Sequence, residues 1–82
     1  MEQFNSEEAV IGYILEEVIV QEGFGVIVFC PDASVCEQLD LALQEAIDEL
    51  DEPNFPFSKV KITDRKPGQM RNPSKHVIYN PR

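Results

Sequence analysis

No lysine or arginine occurs before Lys59, tryptophan is absent, and the whole thiol and imidazole inventory is Cys30, Cys36 and His76. So few cysteines argue against a disulfide-scaffolded secreted domain, which at this size carries several bridges. Zinc needs four ligands at paired spacings, and two cysteines with one distant histidine do not supply them. No metal and no other cofactor is expected, and buried free thiols are the simpler reading of Cys30 and Cys36. No apolar run approaches the ~20 residues of a membrane span, so no membrane partner is expected. The start, Met1-Glu2-Gln3-Phe4, is acidic where a secretory leader is basic, which predicts a cytoplasmic protein.

Catalytic motifs are equally scarce. The chain holds no G-x-x-x-x-G-K-[ST] phosphate loop, G-x-G-x-x-G, H-E-x-x-H or G-x-S-x-G. A cysteine nucleophile would need Cys30 or Cys36 beside His76, and no spacing brings them together. Paired acids abound, but on a solvated helix face they lack the burial that tunes a carboxyl group for proton transfer. The expectation is a protein that is not an enzyme.

What is present is enough for one small domain over residues 1–82: 82 residues, 43% of them hydrophobic. Asn5 and Ser6 are good helix caps, Glu7 and Glu8 suit a helix N-terminus, and Ile11, Ile14, Leu15 and Val18 make an apolar stripe. With Gly23 as its stop, a first helix is predicted over 6–22. Residues 24–30 are apolar in both alternating sets, as in a central strand. Asp32 or Ser34 then caps a second helix, Ser34 and Glu37 having the form of a capping box. Its inner face is Val35, Leu39, Ala42, Leu43, Ala46, Ile47 and Leu50, with Cys36 beside it. Pro53 and Pro56 end the pattern. Residues 57–64 alternate as a half-exposed strand, 65–75 read as a loop, and 76–80 as a short last strand. The predicted fold is α/β in the order α-β-α-β-β, two helices packed on a small mixed three-stranded sheet. Its central strand–helix–strand unit would be a parallel crossover and its last two strands an antiparallel hairpin.

Charge is sorted by position. Residues 1–52 hold fourteen of the fifteen acids and no base, whereas residues 53–82 hold all seven bases and one acid, Asp64. Such asymmetry points to a charged partner. At the end of the second helix Asp48, Glu49, Asp51 and Glu52 crowd the negative pole of the helix dipole. Glu45–Glu49 and Asp48–Glu52 add like-charge pairs four residues apart. Compensation by Lys59, Lys61, Arg65 or Lys66 is the bland explanation for the helix end. It fits Glu37, Glu45 and Asp48 less well, because these project opposite the apolar stripe with Leu41 among them. One exposed leucine is ordinary, but an apolar residue ringed by acids is also a form that binding hot spots take.

The first reading is therefore a small acidic inhibitor or adaptor, of a size and plainness that fit phage or mobile-element proteins. It would bind a protein partner, such as a nucleic-acid-handling protein, through Glu37, Leu41, Glu45, Asp48, Glu49 and Glu52. The alternative is a nucleic-acid-binding accessory domain whose Arg65, Lys66, Arg71 and Lys75 contact phosphates. Net acidity and the lack of interleaved aromatics in that loop count against it.

A third reading comes from a resemblance. Residues 7–50, a helix followed by GFGVIVFCPDAS and an amphipathic helix, resemble the stretch after the phosphate loop in terminase and helicase motor ATPase cores. KVKITDRKPGQMRNPSKHVIYNPR is similar to the strands that follow there. The nucleotide-binding lysine loop and the acidic magnesium motif are missing. The resemblance thus implies a degenerate fragment of a motor core and carries over no functional residue.

Overall fold

A computed structural model describes residues 2–20, 25–52, 54–65 and 74–81. Strand β1, Glu2–Phe4, leads into helix α1, Glu7–Leu15, which continues as a π-type turn over Glu16–Val20. Strand β2 is Gly25–Phe29, helix α2 Ala33–Glu49, strand β3 Val60–Thr63 and strand β4 Ser74–Tyr79, with a 3₁₀ turn, Phe57–Lys59, just before β3. The strands form one sheet in the order β1-β4-β2-β3, and every neighbouring pair is parallel.

Sheet register decides which side chains meet. Val28 lies between Val77 and Ile62, Val26 lies opposite Val60, and Phe4 lies opposite Tyr79. Side chains alternate along a strand, so these residues share one face. Both helices pack there: Val10, Ile14 and Val18 from the first helical segment, and Val35, Leu39, Leu43 and Ile47 from α2, join one core with them. Gln3, Ile27, Phe29, Lys61, Thr63, His76 and Ile78 belong to the other face. No described helix lies on that face.

The α/β class, with two helices on a small sheet and β2 as an inner strand, is as the sequence predicts. Three details differ. The sheet has four strands, because Phe4 is drawn in beside Tyr79 and packs its ring 5.2 Å from that of Tyr13. The sheet is parallel throughout and not mixed: β4 pairs with β1 and β2, so the expected β3–β4 hairpin does not form. Residues 64–73 are too long for a tight hairpin turn, and apolar Val77 and Tyr79 are better buried between two strands than at an edge. The first stripe centres on Val10, Ile14 and Val18, leaving Ile11 and Leu15 half-buried; the expected stop at Gly23 lies outside the described residues. Of the two caps expected for α2, Asp32 serves, its Oδ1 accepting from the Val35 N–H at 2.9 Å, whereas Ser34 is inside the helix and forms no capping box with Glu37. Ser6 caps α1 as expected, its Oγ accepting from the Ala9 N–H at 3.3 Å.

Candidate functional site

α2 owes its two-sided character to one stripe. Val35, Leu39, Leu43 and Ile47 recur every four residues and are buried against the sheet, so the opposite side carries Glu37, Leu41, Glu45 and Asp48, all exposed. Leu41 is 57% exposed. At 100° per residue the acids separate into two flanks. Glu37 and Asp48 lean toward β3, and Glu45 and Glu49 toward the other side.

The helix end is built by backbone hydrogen bonds. The Asp51 N–H donates to the Asp48 carbonyl at 3.2 Å and the Glu52 N–H to the Ile47 carbonyl at 3.3 Å. This paired arrangement needs a left-handed residue after the helix, and Asp51 fills that place with φ 55°. Two expectations change as a result. Leu50 caps the helix, where the chain turns away, and is 54% exposed rather than packed on the sheet. Glu52 lies beyond the helix, so Asp48–Glu52 is not a helical pair; Glu45–Glu49 is.

Among the described residues, none of Asp48, Glu49, Asp51 and Glu52 forms an ion pair with Lys59, Lys61 or Arg65. Lys61 sits in register with Ile27 on the sheet face away from α2, which puts it out of reach. Lys66 and Arg71 lie outside the described residues. The other two bases of the predicted phosphate-binding set are not brought together. Lys75 is opposite Val26 near the start of the strands, whereas Arg65 follows β3 at their far end.

Between α2 and β3 runs a groove that the sequence did not reveal. One compartment, about 520 Å³, is lined by Ala33, Cys36, Glu37, Asp40, Leu43, Phe57, Val60 and Ile62. A second, about 360 Å³, is lined by Gln44, Ile47, Asp48, Glu52 and Phe57. Its floor is apolar and its rim acidic, and Phe57 stands between the compartments. Asp40 accepts a hydrogen bond from Gln44 Nε2 at 3.0 Å on that rim. The only hint of Phe57 in the sequence is its place beside Pro56, where the Phe57 N–H donates to the Phe55 carbonyl at 2.9 Å.

The two thiols also meet. Cys30 is fully buried just after β2, close enough to Cys36 on α2 for the two thiols to interact. Burial above all, then the interaction with the Cys36 thiol, pushes the Cys30 thiol up to about 12. Burial also raises Cys36. Both favour the protonated thiol over the nucleophilic thiolate. His76 is opposite Ile27 on the other sheet face and is not brought to either thiol.

Among the described residues, no group of three or more His, Cys, Asp or Glu side chains could hold a metal ion. No described helix is long and apolar enough to cross a membrane. No known protein family, curated protein or solved structure matches the chain.

Proposed function

We propose that this chain is a non-catalytic binding protein, an inhibitor or adaptor that acts on another macromolecule through the acidic face of α2. The observation that carries this reading is the concentration of exposed carboxylates around Leu41 and the helix end without a basic partner among the described residues. Four acids at the negative pole of a helix oppose its dipole and repel one another. A fold that keeps such a feature has a use for it at a binding site, because local rules are broken most often at functional sites. Carboxylates around an apolar side chain suit a basic protein surface, such as that of a nucleic-acid-handling protein. The motor-core resemblance adds no residue to this reading, since the lysine loop is missing from the chain.

Charge reversal tests the proposal. Glu45→Lys with Asp48→Lys should leave the protein folded and at least as stable as wild type, since both positions are solvent-exposed and the change relieves repulsion at the negative end of α2. It should abolish affinity capture of partners from lysate, and raising salt to about 0.5 M should release them from the wild type. Capture that survives both changes rejects the acidic face as the binding surface. A salt-sensitive mobility shift with DNA or RNA, lost on replacing Arg65, Lys66, Arg71 and Lys75 by serine, would favour the nucleic-acid reading instead.

A further inference from the structure

We propose that the groove between α2 and β3 takes a short extended peptide segment of a basic partner protein, which adds a strand to the outer edge of β3, where no described strand pairs. This rests on the acidic-surface reading and assigns it a location, a backbone geometry and a ligand chemistry.

Three observations converge on the groove. The first is the edge. β3 is the last strand of the sheet order, and no described strand pairs with its outer side. The Cys30 N–H donates to the Thr63 carbonyl at 2.8 Å, which turns the peptide groups of Thr63 toward β2. Peptide groups of successive residues in a strand point to opposite sides, so the N–H and carbonyl of Ile62 face outward. Free edges of this kind are templates for an added strand.

The second is the floor. Exposed Phe57 and half-buried Val60 and Ile62, over the buried Leu43 and Ile47, give apolar surface along two compartments of about 520 and 360 Å³. In an added strand every second side chain points toward α2 and into this floor.

The third is the charge. Glu37, Asp40, Asp48 and Glu52 line the same two compartments, and no lysine or arginine does. Lysine or arginine side chains can lay their methylene stems on the apolar floor and place their charged heads at that rim. The same rim disfavours the other occupants. A second copy pairing edge to edge would set two acidic rims against each other, and a nucleic acid would bring phosphates to carboxylates. A basic segment that alternates with small apolar residues satisfies edge, floor and rim together.

The test uses the full chain and a fluorescein-labelled heptapeptide of alternating lysine and valine, with a copy N-methylated at alternate backbone nitrogens. The unmodified peptide should bind and slow amide exchange at Ile62, and the N-methylated copy should bind at least about tenfold more weakly. Asp40→Asn with Asp48→Asn should weaken binding about tenfold, and Glu45→Asn with Glu49→Asn, an equal change in charge on the other flank, less than about threefold. Equal binding of both peptides, or equal loss in both double variants, would overturn the groove while leaving the acidic-surface reading intact. Failure of the peptide to bind, self-association of the chain through β3, or displacement of bound peptide by an oligonucleotide would also overturn it. Capture that survives both charge reversal and high salt is the separate result that would sink the acidic-surface reading.

Discussion

The rings of Phe55 and Phe57 meet edge to face, 4.9 Å apart with planes at 74°, and the first is buried while the second is 46% exposed. Phe55 is thus the anchor that holds Phe57 at the groove. Phe55→Ala removes a core ring and should cost about 3 kcal/mol. Phe57→Ala forfeits the edge-to-face contact and little burial, and should cost about 1 kcal/mol. Urea denaturation of the two variants checks this order. Equal losses would mean that Phe57 is as much a core residue as Phe55.

Two leucines of the same apolar stripe separate in the same way. Leu43 is 1% exposed and Leu50 54% exposed. Leu43→Ala should cost about 2–5 kcal/mol, a large part of the stability of so small a domain. Leu50→Ala should stay within about 0.5 kcal/mol of wild type. A thermal or urea midpoint that falls as far for Leu50→Ala would place that side chain on the sheet after all.

That contrast shows where periodicity stops being informative. Leu50 continues the spacing of Leu39, Leu43 and Ile47, but it is the cap residue, and the left-handed turn at Asp51 carries it off the sheet. An aspartate in that conformation has no signature, because glycine is the residue that usually marks it. α2 and β2 were legible because each buries a regular pattern. β1 was not, since three residues of mixed polarity carry no strand pattern of their own and join the sheet by pairing with β4, where Phe4 lies opposite Tyr79 and packs on Tyr13. The direction of β4 was illegible for a related reason: pairing partners are a tertiary choice, made by what Val77 and Tyr79 bury. The acids of α2 could be read directly, as could their place opposite the core. Their division between two flanks, and the groove beside one of them, depended on where β3 and Phe57 came to rest.

Asp51 offers a stabilising change. Its positive φ is disfavoured for a side chain with a Cβ and natural for glycine. Asp51→Gly also removes one of four carboxylates from the negative pole of α2. The two effects have the same sign, and the variant should gain about 1 kcal/mol. A midpoint at or below that of wild type would mean that the flexibility glycine adds to the unfolded chain outweighs the relieved strain.

The buried thiol makes a prediction about alkaline pH. Cys30 shifts from an ordinary 9.0 to about 12 in the folded protein, chiefly because burial disfavours the thiolate. The unfolded chain therefore releases this proton before the native state does. A raised value contributes stability that is fully present below 9.0 and is lost as pH climbs toward about 12. Cys36, Tyr13 and Tyr79 are also raised, each mainly by burial, and add to the same decline. The urea midpoint of the wild type should accordingly hold steady up to about pH 8 and fall between pH 9 and 11. Cys30→Ala starts lower, because it leaves a small cavity in the core, so its slope is the informative quantity and not its level. That slope should be shallower than the wild type's over the same range, with the remainder due to Cys36 and the two tyrosines. A variant that declines as steeply as the wild type would show that Cys30 is not the group whose burial opposes ionisation.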